Sequence, residues 1–243
     1  FRLVRELLGG RLREAWCGAA PLARDVLELL FAAGVPVYEG YGLTETAAAS
    51  TLGTAGRMRL GTVGRALPGI DVRLHEGEIL LRGPNVFRDY YRDPEATATV
   101  QRDGWLHTGD LGEVDADGYV RVTGRIKDVI ITSGGRNVIP GPWEDELRRS
   151  PLVEEVVVLG DRRPFLVALV VPAAPSTDTI EAAVAACVAA ANASRPRWAQ
   201  VRRFALLDRP LSREAGELTV TGKVRRPTVA SRHAALLDAL YAG

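Results

Sequence analysis

Hydrophobic and polar positions change their period twice along this chain. Leu22, Val26, Leu29 and Leu30 lie at helical spacing within 22–33, and Gly34 followed by Pro36 supplies that helix's stop. Val35–Tyr38 reads as a short strand entering the Gly/Thr-rich turn Gly40-Tyr41-Gly42-Leu43-Thr44. From Gly61 to Val122 the period falls to two. Ile70–Leu74 and Glu78–Arg82 alternate around Glu76-Gly77, which predicts a hairpin. Asp117-Gly118 predicts a second turn between Leu111–Val114 and Tyr119–Val122. Past Lys127, strands and helices alternate. Strands are predicted at 128–132, 153–159, 165–171 and 201–207, and helices at 142–149, 179–193 and 227–241. Ser133-Gly134-Gly135 and residues 172–179 read as loops. The pattern predicts an α/β and α+β protein in two parts. Residues 1–126 form a helix/strand layer plus a β-rich subdomain, and 127–243 form a small mixed α+β domain.

Composition narrows the function class. Of 243 residues, 31 are basic and 30 acidic, giving a net charge of +1, so no basic field argues for a nucleic-acid partner. Cys17 and Cys187 are far apart and show no disulfide or zinc spacing, and His75, His107 and His233 are scattered. The longest apolar runs fall short of the ~20 residues of a membrane span. Phe1–Arg5 reads as an amphipathic helix rather than a secretory signal. The expectation is a soluble, cytoplasmic chain that begins inside a fold.

One count is more telling. Lys127 and Lys223 are the only lysines among the 31 basic residues. Arginine is a planar fork of donors, whereas lysine is a compact charge on a flexible stem. Two lysines that persist against such a background are either functional or ordinary surface residues, and the count alone does not separate the two.

Several short motifs carry candidate chemistry. In Tyr41-Gly42-Leu43-Thr44-Glu45, glycine lets backbone approach a ligand, the ring can face a base, and the hydroxyl and carboxylate suit a phosphate oxygen and its magnesium ion. A turn with a buried tyrosine fits the same residues. Asp110, at the end of Asp103-Gly104-Trp105-Leu106-His107-Thr108-Gly109-Asp110, reads as a turn-held carboxylate that can accept two ribose hydroxyls, or as an aspartate serving its own backbone. Arg125 and Lys127 lie together in Gly124-Arg125-Ile126-Lys127-Asp128, as a contact and a joint or as a solvated linker. Gly134 and Gly135 could pass an extended substrate arm. Lys223 sits on the Gly222 hinge of Thr219-Val220-Thr221-Gly222-Lys223, or on a plain surface loop.

In this order the motifs resemble the adenylate-forming (AMP-binding) superfamily. The stretch 103–127 resembles the signature of fatty acyl-CoA synthetases. Thr132–Asn137 with Glu144, and Gly160-Asp161-Arg162-Arg163-Pro164-Phe165, are similar to the bacterial long-chain branch. The resemblance implies the C-terminal portion of a long-chain fatty acid–CoA ligase, with residues 1–126 ending the AMP-binding domain and 127–243 mobile. It implies fatty acid, ATP and coenzyme A as substrates with Mg2+, nucleotide binding at Gly18, Ala19, Gly40, Tyr41, Gly42, Asp110 and Arg125, and catalysis by Thr44, Glu45 and Lys223. Glu45 would hold the metal, Lys127 would be the hinge, and Ser133, Gly134 and Gly135 would meet coenzyme A. The family's Ser/Thr/Gly-rich phosphate loop is not present, so these 243 residues alone are expected to be inactive. Val220 stands where proline is common and Arg225 where a second lysine often occurs. Transfer to an acyl carrier protein, luciferase-like chemistry and a non-catalytic remnant of the fold are the alternatives, and peripheral membrane contact stays open.

Overall fold

The computed structural model describes residues 1–19, 22, 24–175 and 177–242, and the chain divides into two compact units, Phe1–Ile126 and Lys127–Gly243. The predicted helix at 22–33 is observed as Arg24–Ala32; Ala23, like Ser176 of the predicted loop at 172–179, lies outside the described residues. Gly34, at φ +75°, ends this helix, with Val35 N–H returning to the Leu30 carbonyl at 2.9 Å. Its buried face differs from the one its spacing suggests. Leu27 is buried, while Val26, Leu29 and Phe31 are exposed, because the sheet beside it covers only a narrow stripe. The first helix, Arg2–Leu7, buries no residue at all.

Strand Ala15–Cys17 pairs parallel with Val37–Tyr41, the parallel crossover passing through helix Arg24–Ala32; Thr51–Leu52 and Arg65–Ala66 extend that sheet antiparallel. Ala15–Cys17 forms its edge, with Trp16 exposed at 59%. The hairpin predicted around Glu76-Gly77 is present as Asp71–His75 and Glu78–Arg82, with both turn residues at positive φ. Glu78–Arg82 pairs with Trp105–Val114, which also carries Gln101–Arg102 and Val120–Arg125. Ile79, Leu81, Leu106 and Val120 bury against Tyr41 from the neighbouring sheet.

The second unit is a three-stranded sheet covered on both faces. Val153–Leu159 pairs antiparallel with Leu166–Pro172, which pairs parallel with Val201–Leu206. Burial on both faces explains the unbroken apolar run 165–171. Leu166, Ala168 and Val170 meet Trp143 and Leu147 of helix Gly141–Arg148 and Val184 and Val188 of helix Asp178–Ala193. Val167, Leu169 and Val171 meet Val229 and Leu237 on the other side.

Two sequence expectations change here. The predicted strand at 128–132 is a 3-10 turn, Ile126–Asp128, followed by the two-residue strand Ile130–Ile131. The single closing helix is two, Arg226–Arg232 and Ala234–Ala242, parted at His233, whose ring lies 3.1 Å from the buried Glu217 carboxylate. Among the described residues no helix is long and apolar enough to cross a membrane.

Glu144, 5% exposed, clamps this unit. It accepts from Arg226 at 2.5 and 3.2 Å and from Val158 N–H at 2.7 Å, while Arg226 also donates to the Val158 carbonyl at 2.8 Å. Removing one partner from a buried pair strands the other charge. Arg226→Met is therefore expected to destabilise this unit by about 3–5 kcal/mol in urea unfolding, and the double exchange Arg226→Met/Glu144→Leu to recover most of that loss.

Candidate active site

The turn after strand Val37–Tyr41 is built around missing side-chain volume. A Cβ on Gly42 would collide with the Ala48 carbonyl, so only glycine lets the chain fold back there. The turn Thr44–Thr46 is closed by the fully buried Thr46, whose hydroxyl accepts from Leu43 N–H at 2.9 Å and donates to the Leu43 carbonyl at 3.1 Å. That closure leaves Thr44 exposed and Glu45 half-buried. Glu45 is held twice. Its carbonyl accepts from Phe87 N–H at 2.7 Å, and its Oε1 accepts from the Tyr90 hydroxyl at 2.6 Å. The Tyr90 phenol is pushed up to about 12, chiefly by this bond. Oε2 is left without a hydrogen-bond partner among the described residues.

Asp110 lies in strand Trp105–Val114, opposite Arg125, rather than in a turn; the turn is Asp103-Gly104, both at positive φ. Asp110 is 3% exposed. Its Oδ2 accepts from the Tyr41 hydroxyl at 2.8 Å, and its Oδ1 forms an ion pair with Arg125, 2.7 Å from Nε. Burial and, next, the charge of Asp110 push the Tyr41 phenol up, so it serves as a neutral donor. Arg125 is partly exposed and spends only Nε on Asp110. Gly18 follows strand Ala15–Cys17 and lies against Gly40: a Cβ there would come 3.2 Å from the Gly40 carbonyl. Ala19 has φ +66°. Gly40 is itself crowded by Leu52 and the Thr51 carbonyl. The first unit thus brings the end of strand Val37–Tyr41 to Asp110, within strand Trp105–Val114, and to Arg125 at the end of Val120–Arg125, and sets Gly18 against Gly40. His107 lies on the strand and pairs with Glu78 at 2.8 Å.

In the second unit, Ser133, Gly134 and Gly135 are exposed at the tip of the hairpin Ile130–Ile131/Asn137–Val138. Gly135 has φ +73° and nothing within 4 Å of where its side chain would be, which leaves bare backbone open. The loop rests on the segment 160–163. Arg162 N–H donates to the Ile131 carbonyl at 2.7 Å, and Ser133 N–H to the Arg163 carbonyl at 2.9 Å. Lys127, in the turn Ile126–Asp128, is exposed.

Lys223 closes a small hairpin based on the Leu218–Val224 bridge. Thr219 N–H donates to the Lys223 carbonyl at 2.8 Å, Lys223 N–H to the Thr219 hydroxyl at 2.9 Å, and the Lys223 side chain is exposed. Directly before the hairpin, Glu217 has no accessible surface. The Arg209 fork holds its carboxyl down to about 2, against an ordinary 4.5, outweighing the opposing effect of burial. This stabilisation is complete above pH ~4.5 and is lost as pH falls towards 2.

Sequence reasoning missed Tyr90, Glu217 and Arg209. An acid two residues before the lysine motif, with an arginine eight residues upstream of it, was the available cue for the last two. Nothing in the sequence pointed from Tyr90 to Glu45.

Comparison with known proteins bears on the same residues. Residues 3–91 match the family model of the AMP-binding enzyme, and residues 127–243 that of the AMP-binding enzyme C-terminal domain. The chain is 38% identical to the long-chain-fatty-acid–CoA ligase FadD15 of Mycobacterium tuberculosis, over 99% of this chain and 44% of that protein. It is 31% identical to the chicken long-chain-fatty-acid–CoA ligase ACSBG2, over all of this chain and 39% of that one. The chain therefore spans less than half the length of these relatives. Among solved structures, the adenylation domain of a carboxylate reductase from Mycobacterium chelonae matches with a TM-score of 0.83 at 26% identity, covering 100% of this chain and 40% of that one. The o-succinylbenzoate coenzyme A synthetase of Bacillus subtilis, solved with ATP and magnesium, matches with a TM-score of 0.75 at 26% identity, over 93% of this chain and 49% of that one.

The Tyr41–Asp110 bond is open to a direct test. A buried hydrogen bond to a charged group contributes about 1.5–3 kcal/mol. Tyr41→Phe is expected to destabilise the first unit by that amount in urea unfolding and to leave the second unit's transition in place.

Proposed function

Because the chain belongs to the AMP-binding enzyme family, we propose that it is the C-terminal portion of a long-chain fatty acid–CoA ligase, contributing nucleotide contacts and a mobile lysine. The enzyme makes an acyl-adenylate from a fatty acid and ATP, then passes the acyl group to the thiol of coenzyme A. The observation that carries the reading is the buried Asp110, gripped by Tyr41 and Arg125 beside the turn that presents Thr44 and Glu45.

Each side chain has a task that its geometry supports. Asp110 keeps lone pairs beyond the two it spends within the chain, and it orients Arg125, whose terminal nitrogens are free to meet the ribose. Gly18, Ala19, Gly40 and Gly42 let backbone approach the nucleotide, and Tyr41 walls its base. Thr44, exposed on its turn, donates to a phosphate oxygen. Glu45 offers Oε2, a hard oxygen ligand suited to magnesium, which is usually held by one or two carboxylates together with substrate phosphates. Magnesium, when bound there, would neutralise phosphate charge. Lys223 meets the negative charge that grows on the phosphoryl oxygens, where such a contact contributes about 3–4 kcal/mol.

For the second step, Lys127 is the pivot of the C-terminal domain, and Ser133, Gly134 and Gly135 pass the pantetheine arm of coenzyme A. The boundary between the two compact units at Ile126/Lys127 supports the pivot, and the open backbone at Gly135 supports the passage. ATP and coenzyme A as co-substrates support a cytoplasmic setting. The carboxylate reductase likeness raises a carrier-protein acceptor as the second reading; the CoA ligase names of the more identical relatives favour coenzyme A.

Two substitutions test the division of labour, made in the ligase that carries this chain together with an N-terminal half such as its relatives have. Lys223→Ala is expected to slow ATP–pyrophosphate exchange about a hundred- to thousandfold while sparing thioester formation from supplied acyl-adenylate. Equal loss in both assays would refute the assignment. Lys127→Pro, which fixes φ at the pivot, is expected to do the reverse: exchange survives and thioester synthesis fails.

A further inference from the structure

The lysine hairpin is anchored from one side by a single acidic residue. Glu217 has no accessible surface, yet it touches four separate parts of the unit. Its carboxylate accepts the Arg209 fork at 2.8 and 2.9 Å, Ser212 N–H at 2.9 Å, and lies 3.1 Å from His233 Nε2 at the break between the last two helices. Arg232 stands 3.7 Å away. Its own backbone ties the hairpin base to the turn that precedes it. Glu217 N–H donates to the Ser212 carbonyl at 2.9 Å, and its carbonyl accepts from Arg225 N–H at 2.7 Å. Beyond this base only five residues remain, 219–223, and their Thr219–Lys223 bonds are exposed to water.

A hairpin of that size has no apolar core of its own: Val220, at its tip, is 87% exposed. Its geometry is therefore fixed from below: Leu218 and Val224 pack on the core, which holds the base in place without setting a direction, and Glu217 supplies the directional contacts. Charge-assisted bonds are the strong ones, and a forked arginine sets direction as well as distance. A carboxylate with every contact inside the protein and no path to solvent has no room to meet a substrate, so Glu217 acts through the hairpin and not on the reacting atoms.

We infer that Glu217 is the positioning residue for Lys223: it holds the hairpin so that the lysine amine is delivered in one orientation to the adenylation step. This inference rests on the reading of Lys223 as the adenylation lysine. It predicts a selective defect, because the thioester step does not use that amine. A residue that merely keeps the domain folded would impair both steps together.

The test uses Glu217→Gln, with Arg209→Ala as the milder variant; Arg209 is partly exposed, and its side-chain contacts are Glu217 and the Pro210 carbonyl. In the 243-residue chain, amide hydrogen exchange is measured at Gly222 and Lys223 and, as reference, along strand Leu166–Pro172. The hairpin amides should exchange at least tenfold faster in Glu217→Gln while the strand amides keep their rates. In the ligase carrying this chain with its N-terminal half, ATP–pyrophosphate exchange should fall tenfold or more, and thioester formation from supplied acyl-adenylate should stay within twofold. Arg209→Ala should move both readings the same way by a smaller factor, and it decides the matter if Glu217→Gln does not fold. Unchanged hairpin exchange, or equal loss in the two half-reactions, overturns the inference. Lys223→Ala run in parallel separates the two readings: if it spares adenylation, the lysine assignment fails. If it abolishes adenylation while Glu217→Gln and Arg209→Ala leave it intact, the positioning role alone fails.

Discussion

A carboxylate removed from water must find donors within the protein or give up its charge, and this structure is organised around three that found them. Asp110 is met by a phenol and a guanidinium, Glu144 by Arg226 and a strand N–H, and Glu217 by a forked arginine, a backbone N–H and an imidazole. Each ties together segments that hydrophobic burial alone would leave free to slide, since apolar contact is not directional. Asp110 joins the strand end at Tyr41 to the five-stranded sheet. Glu144 joins a helix, a strand and the start of the closing helices. Glu217 joins the loop at Arg209, the lysine hairpin and the helix break. Thr44 and Glu45, and likewise Lys223, follow shortly after a member of these knots, on turns too short to hold themselves.

The chain's use of cations follows the same logic. Arginine does the knotting, because a planar fork can satisfy a buried carboxylate from two directions at once. The two lysines are exposed, one at the join between the compact units and one at the end of a hairpin. A flexible ammonium suits a group that must travel, and a rigid fork suits one that must stay.

Much of the fold could be read from the chain. The hairpin strands around Glu76-Gly77 formed within a residue of where they were expected, while the strand expected at 111–114 begins at Trp105 and the one at 119–122 runs to Arg125; the run 165–171 lacked alternation because both faces are buried. Order along the sequence brought out the candidate motifs, since turns such as Gly40–Glu45 are local and their glycines are steric requirements. What could not be read was who pairs with whom. Tyr41 and Asp110 are 69 residues apart and Glu144 and Arg226 are 82 apart, and in a chain whose cations are nearly all arginine no single one advertises its partner. The same blindness placed Asp110 in a turn, hid Tyr90 behind Glu45, and extended one helix through His233, where a side chain's tie to Glu217 outweighs helical propensity. The helix Arg24–Ala32 failed differently: spacing reports that a stripe is apolar, not how much of it a neighbour will cover.

The strand Ala15–Cys17 lies at the rim of a parallel pair, with its indole largely exposed and, among the described residues, no strand paired to its outer side. Such a rim is a template on which any extended peptide can crystallise its own hydrogen bonds. Handled as an isolated polypeptide, these 243 residues would carry a sticky flank, and a charged residue in place of Trp16 would be the simplest way to blunt it.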